Sequence, residues 1–189
     1  KSFKLSYNSR ISRPSSSYIN TNTNITNNKN ITVGNPALKP STTKQMEFGY
    51  NSFGRKYQGS YYVYYKQSDD LIESILSVQD DISTTTYENI GNSIRIGFNY
   101  YGSIRFNDLT LRGGFNLYNY EAEYNRLSRT ALLYNYNFGI TLKLKNNWKA
   151  EGFGFARSPS QTVQGTSTSF SMMSFGIKKE FKNKRGSIG

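Results

Sequence analysis

The sequence predicts an all-β protein, an antiparallel up-and-down transmembrane β-barrel, with about eight strands present as a fragment of a larger barrel. Three observations carry this. Apolar and polar residues alternate with period two in segment after segment. These segments run about nine to eleven residues or longer, the length a tilted strand needs to cross a bilayer. The connections alternate between short turns at one end of the strands and longer loops at the other. Up-and-down membrane barrels have that asymmetry, and a soluble sandwich has no reason to keep it.

Composition agrees. The 189 residues include 16 Tyr, 12 Phe and 1 Trp, yet the mean hydropathy is −0.67. A soluble core would use more Leu, Val and Ile, whereas strands apolar on one face and polar on the other fit this balance. No run approaches the roughly 18 consecutive apolar residues of a transmembrane helix. Cysteine and histidine are both absent, which excludes disulfides, thiolate sites and the commonest general base. The net charge of +12 is spread over turns and strand ends. Examples are Lys56, Lys145, Lys149, Lys178, Lys179, Lys182, Lys184 and Arg185. With no basic helix or recognition motif, these read as solvated turn charges and nucleic acid is not an expected partner.

The strands follow in order. Phe3, Leu5 and Tyr7 alternate with Lys4, Ser6 and Asn8 in strand 1, which ends toward Ser12-Arg13-Pro14. A Ser/Asn/Thr-rich loop follows to Thr43, carrying two glycosylation-type sequons, at Asn24 and Asn30, that read as chance matches in such a composition. Its rigid part is Val33-Gly34-Asn35-Pro36-Ala37-Leu38-Lys39-Pro40. Each proline lacks an N–H, fixes φ and extends the residue before it. Gly34 and Asn35 tolerate positive φ, so the chain is expected to reverse there.

Strand 2 puts Met46, Phe48 and Tyr50 on one face, and strand 3 spans Tyr57 to Lys66. An acidic loop from Asp69 to about Ser83 contains Leu71, Ile72, Ile75 and Leu76, whose spacing fits either a helix or strand extending past the sheet. Strand 4 carries Ile90, Ile94, Ile96, Phe98 and Tyr100 on one face. Strand 5 shows Leu109, Leu111, Phe115 and Leu117, and a charged loop is expected from Glu121 to Arg129. Strand 6 alternates most cleanly, from Leu132 through Tyr134, Tyr136, Phe138 and Ile140 to Leu142. After the turn Lys145-Asn146-Asn147 comes strand 7, Trp148 to Ala156, whose apolar face is ambiguous because Phe153 and Phe155 share parity with Lys149 and Glu151. Strand 8 presents Met173, Phe175 and Ile177, and 182–185 make the last turn.

On this reading the Met46, Ile94 and Leu132-to-Leu142 sets face lipid, while Arg95, Arg112, Asn135, Asn137 and Lys143 face the interior. A midplane Arg or Lys on the lipid face costs roughly 2–4 kcal/mol. Tyr50, Tyr100, Tyr101, Tyr118, Tyr120, Tyr134 and Trp148 fit interfacial girdles. Because lipid cannot satisfy a sheet edge, the strands must close on themselves or join others.

Catalytic chemistry finds little support. Without His or Cys the usual nucleophilic triads and Cys/His metal sites are excluded. Gly152-Phe153-Gly154-Phe155-Ala156-Arg157 lacks the third glycine and following helix of a phosphate loop, and reads as strand glycines beside aromatics. Asp69, Asp70, Glu73, Asp80 and Asp81 are hard-cation donor types, but their spacing is not that of an EF-hand and a solvated acidic loop is expected. Arg95 is a candidate to pair with Glu121 or Glu123 inside a lumen. No catalytic, cofactor-binding or metal-ligating residue is assigned, no enzyme activity is expected, and the substrate-binding residues are unknown.

The order of strand, Arg10-x-x-Arg13-Pro14, Asn/Thr-rich loop, Gly34-Asn35-Pro36-x-Leu38-Lys39-Pro40 and a strand with Glu47-Phe48-Gly49-Tyr50 resembles the C-terminal part of TonB-dependent receptor barrels. It is most similar to the outer-membrane β-barrel group of the Bacteroidota type. Asn89-Ile90-Gly91-Asn92-Ser93 before Gly97-Phe98, and Ser158-Pro159, Gln164-Gly165 and 175–181, resemble further parts of that family. Ala37 and Ser41 stand where its motif usually carries acids. The resemblance implies a barrel of about 22 strands in the bacterial outer membrane. It also implies an N-terminal plug and TonB box, nutrient import coupled to the TonB complex, and a surface lipoprotein as a further partner. Asn35, Pro36, Leu38, Lys39 and Pro40 match its motif as loop architecture. Residues 1–189 then form one barrel segment without a plug. Both ends read as cut, since Lys1-Ser2-Phe3 is already strand and 186–189 start another. The competing readings are a self-contained eight-stranded barrel acting as adhesin, anchor or small enzyme, and a soluble β-rich surface binding protein.

Overall fold

The computed structural model describes residues 1–22, 24–27, 29–124, 127–161, 165–181 and 186–189. Alternation dictates the main element. Among the described residues, a nine-stranded antiparallel sheet runs in the order β1 (Ser2–Ser12), β4 (Ser41–Phe53), β5 (Tyr57–Asp69), β8 (Ser93–Phe106), β9 (Leu109–Tyr124), β10 (Leu127–Lys143), β11 (Trp148–Arg157), β12 (Phe170–Glu180) and β13 (Ser187–Ile188). The eight long strands lie where the alternation put them, except that Ile90, expected on the lipid face of strand 4, is buried at the end of a strand outside this sheet. The segment 182–185, expected as the last turn, lies outside the described residues.

Register turns alternation into two continuous surfaces. Leu5 faces Phe48, which faces Val63, then Phe98, Leu117 and Tyr134. Beside this runs a row of aromatic side chains, Phe3, Tyr50, Tyr61, Tyr100 and Phe115, whose neighbouring rings lie 5.0–6.0 Å apart. Such spacing suits offset and tilted aromatic pairs. Phe3, Leu5, Met46, Phe48, Ile96 and Leu132 on this face are all exposed, Leu5 at 81%. A water-facing surface of this extent would be an aggregation hazard. Facing acyl chains, it needs no cover.

The opposite surface is polar across β4, β5, β8, β9 and β10 and holds a small cluster of buried apolar residues; Ile90, the most deeply buried side chain, lies apart from it. Tyr120, Ala122 and Leu133 cluster there, with Tyr118 and Ala131 against them. Of the aromatics expected in girdles, Tyr118 and Tyr120 therefore point inward, and Tyr101 shares their parity. None of the three stands at a strand end either, because β8 continues to Phe106 and β9 to Tyr124, and the pleat turns all three to the inner face.

Tight turns close one end. The β8–β9 turn uses Asn107 and the β10–β11 turn Asn146 and Asn147, all with positive φ, a conformation Asn tolerates. The opposite end carries the larger excursions. Residues 71–90 are neither helix nor loop: β6 (Leu71–Gln79) and β7 (Ile82–Ile90) form a hairpin through Asp80 and Asp81, both at positive φ. That hairpin joins β2 (Asn24–Asn27) and β3 (Asn30–Thr32) in a second sheet of order β2-β3-β7-β6. The nine-pair ladder between β6 and β7 decides strand over helix there, and β3 adds three parallel pairs to β7. The charged stretch 121–129 is also mostly ladder, with Glu121 opposite Thr130 and Glu123 opposite Ser128; residues 125–126 lie outside the described residues.

Gly34 and Asn35 do not use positive φ. Gly34 is buried, and a Cβ there would run into the Asn20 carbonyl oxygen. Its amide donates to that same oxygen at 2.9 Å. The glycine serves close approach of two backbones, with Tyr18, at the end of the short helix α1 (Ser16–Ile19), stacked on Tyr87 at 4.2 Å.

Candidate functional site: the polar inner surface

Period two places β4 Gln45 and Glu47, β5 Tyr62, Tyr64 and Lys66, β8 Arg95 and Asn99, β9 Asn116 and Tyr118, and β10 Asn135 on one concave surface. They line a depression of about 550 Å³. One ladder row crosses five strands as Tyr62, Asn99, Asn116, Asn135 and Arg157. Tyr64 Oη donates to Asn116 Oδ1 at 3.0 Å, and Tyr62 Oη to Asn51 Oδ1 at 3.0 Å. Gly97 makes room for these rings, because a Cβ there would lie 2.6 Å from Tyr64 and 2.7 Å from Tyr118.

The charged centre of this surface is a pair of cations. Lys66 stands directly opposite Arg95 in the β5–β8 ladder. The Arg95 guanidinium lies over the Tyr118 and Tyr120 rings, at 5.7 and 5.1 Å from their centroids, where the ring quadrupole attracts it. Its Nε is buried without a hydrogen-bond partner. Among the described residues no carboxylate lies within ion-pair distance of either cation. Glu121 and Glu123 have the opposite parity from Tyr118 and Tyr120, so neither pairs with Arg95. Glu121 and Glu123 fail as partners because the pleat puts them on the face opposite that of Tyr118, Tyr120 and Arg95.

The other inner residues expected from sequence lie on this face too. Arg112 lies over Gly139 and donates to Thr141 Oγ1 at 3.4 Å. Asn137 and Lys143 follow Asn135 at the same parity. Toward the short-turn end Lys178 pairs with Glu151 at 3.4 Å and Lys149 with Glu180. Strand 7 is settled by its partners: Ala150, Gly152, Gly154 and Ala156 stand opposite Leu142, Ile140, Phe138 and Tyr136 on the lipid side. Phe153 and Phe155 therefore face inward. Asp69, Asp70, Glu73, Asp80 and Asp81 are not gathered: among the described residues no group of three potential metal ligands occurs. Period two puts Lys66, the last residue of the expected strand 3, on one face with Tyr62 and Tyr64, but its significance depends on register with Arg95, which that patterning alone does not give.

Donors, acceptors and cations on a solvent-accessible wall can bind and guide polar solutes. The loop that carries the Gly-Asn-Pro motif instead anchors the outer sheet. Asn35 Nδ2 donates to the Tyr87 carbonyl at 2.9 Å, and the Ala37 amide donates to Asn35 Oδ1 at 2.9 Å. Asn89 accepts from the Lys39 amide at 2.7 Å while its Nδ2 donates to the carbonyls of Lys39 and Asp70 at 2.9 and 2.8 Å.

This architecture is found in solved barrels. The chain is similar to the copper transporter OprC, with a TM-score of 0.69 and 15% identity over 94% of this chain and 28% of that one. It is also similar to the siderophore receptor PirA from Acinetobacter baumannii, with a TM-score of 0.63 and 15% identity over 96% of this chain and 33% of that one. The chain thus spans about a third or less of those structures. No curated protein sequence matches it. No helix among the described residues is long and apolar enough to cross a membrane; the crossing elements are the strands. The outer membrane protein beta-barrel family model matches residues 1–189, so a sheet greasy outside and polar inside is what its family requires, and the chain belongs to that family of the bacterial outer membrane.

Proposed function

We propose that this chain is part of the barrel wall of a TonB-dependent receptor of the Bacteroidota type, which imports a scarce nutrient across the outer membrane. The observation that carries the reading is the inner surface, whose Lys66, Arg95, Tyr62, Tyr64 and Asn-rich row offer binding groups to a polar solute or to a plug packed inside. The similarity to a transporter and a receptor supports it, as does the Gly34–Pro40 motif. In the described sheet β1 and β13 sit at the two ends of the strand order. Hydrocarbon does not tolerate open edges, so further strands of the same barrel pair with them. Coupling to the TonB complex resides in a plug and TonB box outside these residues. The wall guides cargo and does no bond-making chemistry. The outer sheet of β2, β3, β6 and β7 stands on the long-loop side, where a surface lipoprotein would dock.

The test is genetic. Deleting the whole gene should abolish growth on at least one limiting nutrient, and deleting TonB should reproduce that loss. A deletion strain that grows on every TonB-dependent nutrient overturns the reading.

A further inference from the structure

The lipid-facing side of β10, β11 and β12 is not uniform. Across most of the sheet large side chains stand opposite one another, but β11 presents Ala150 and Gly152 between Leu142 and Ile140 on one side and Ile177 and Phe175 on the other. The result is an almost wholly apolar groove of about 450 Å³. Its walls belong to strands two ladder spacings apart, roughly 10 Å. That admits a single hydrocarbon chain and is too narrow for a helix of about 10–12 Å with side chains.

One end of the groove is capped by chemistry of another kind. The next ladder pair is Trp148 opposite Lys179. The Lys179 ammonium lies 5.2 Å from the centroid of the indole ring. This pair follows directly on the short turn of 145–147, the end that in up-and-down outer-membrane barrels faces the periplasm. A Trp at that depth occupies the headgroup level. Basic residues surround the same rim in Arg55, Lys56, Arg105 and Lys145. Eight of the twelve acids (Asp69, Asp70, Glu73, Asp80, Asp81, Glu88, Glu121 and Glu123) lie toward the other end.

We infer that this groove is a binding site for one anionic phospholipid of the periplasm-facing leaflet. One acyl chain lies on Ala150 and on the Phe175 ring that covers Gly152, between the Ile140/Leu142 wall and Ile177. The phosphate is held by Lys179, with the Trp148 indole N–H as the second donor. Charge complementarity selects this occupant: a second barrel docking here would bury the Lys179 charge against an apolar face, and in a zwitterionic lipid the headgroup's own ammonium competes with Lys179 for the phosphate. The site depends on the barrel face and not on the cargo, so it stands apart from the transport reading.

Trp148 is the single tryptophan of the chain, which makes it a reporter. The whole protein is placed in phosphatidylcholine vesicles containing increasing fractions of phosphatidylglycerol or phosphatidylcholine brominated on the acyl chains. The Trp148 contribution is the difference in emission between the protein and Trp148→Phe. Half-quenching is expected at about a fivefold lower fraction of brominated phosphatidylglycerol, the selectivity one interfacial cation confers. Lys179→Gln should bring the two lipids to equality. Ala150→Leu, which fills the floor with a residue the lipid face tolerates, should weaken quenching by both. Heat-modifiable migration confirms that each variant is folded. Equal quenching of the unaltered protein by the two lipids overturns the inference, as does selectivity that survives Lys179→Gln.

Discussion

The Phe138 ring lies across the β10–β11 ladder on Gly154, filling the space a Cβ at that position would need. The same device recurs one row on, where the Phe175 ring covers Gly152 from β12. Glycine weakens a strand through entropy and missing side-chain contacts. An aromatic partner across the ladder restores the contacts and pins the register. This pairing explains how a strand reading Gly-Phe-Gly-Phe turns its glycines to lipid and its phenylalanines inward.

Gly154→Ala forces the Phe138 ring off the strand. The cost expected for such overpacking is about 1 kcal/mol, read as a lower urea midpoint for loss of heat-modifiable migration. Adding Phe138→Ala should leave no further penalty from Gly154→Ala. If the two substitutions are additive, the ring does not sit where described.

The face assignment of β10 has a direct check. Phe138→Arg places a cation on the lipid side in mid-strand and should cost roughly 2–4 kcal/mol of assembly free energy, whereas Asn137→Arg points into the lumen and should cost little. Folded fractions after refolding into vesicles separate the two. Equal losses mean the faces are assigned wrongly.

Lys66 and Arg95 oppose each other without a carboxylate in ion-pair reach among the described residues. Like charges directly across a ladder destabilise, and opposite charges contribute roughly 0.2–1 kcal/mol. Lys66→Glu should therefore raise the urea midpoint of the barrel. A lowered midpoint would mean that the two cations already share a counter-charge.

Asn89 joins the Gly-Asn-Pro loop to the β6–β7 hairpin with three hydrogen bonds. Each is worth about 1 kcal/mol net, more where a group is left unsatisfied. Asn89→Ala should free 36–40 for proteolysis, speeding cleavage there several-fold, while the barrel midpoint stays within about 0.5 kcal/mol, the usual range for changes away from core features. Unchanged cleavage would show that Asn35 alone holds the loop.

Alternation by itself determined the class, the eight long strands and the faces of β4, β8 and β10, because side chains on a strand have a period of two and one side must tolerate hydrocarbon. It also put Arg95, Arg112, Asn135, Asn137 and Lys143 inside. Only the tertiary structure decided the rest. Residues 71–90 became a hairpin because β6 and β7 pair with each other along their full length, and β11 took its face from Phe138 and Phe175 on its neighbours. Tyr118 and Tyr120 turned inward beneath Arg95, and Lys66 gained its importance by standing opposite that arginine. Each depends on which residue of another strand lies alongside, and register is a property of pairs of strands that no single strand's pattern contains.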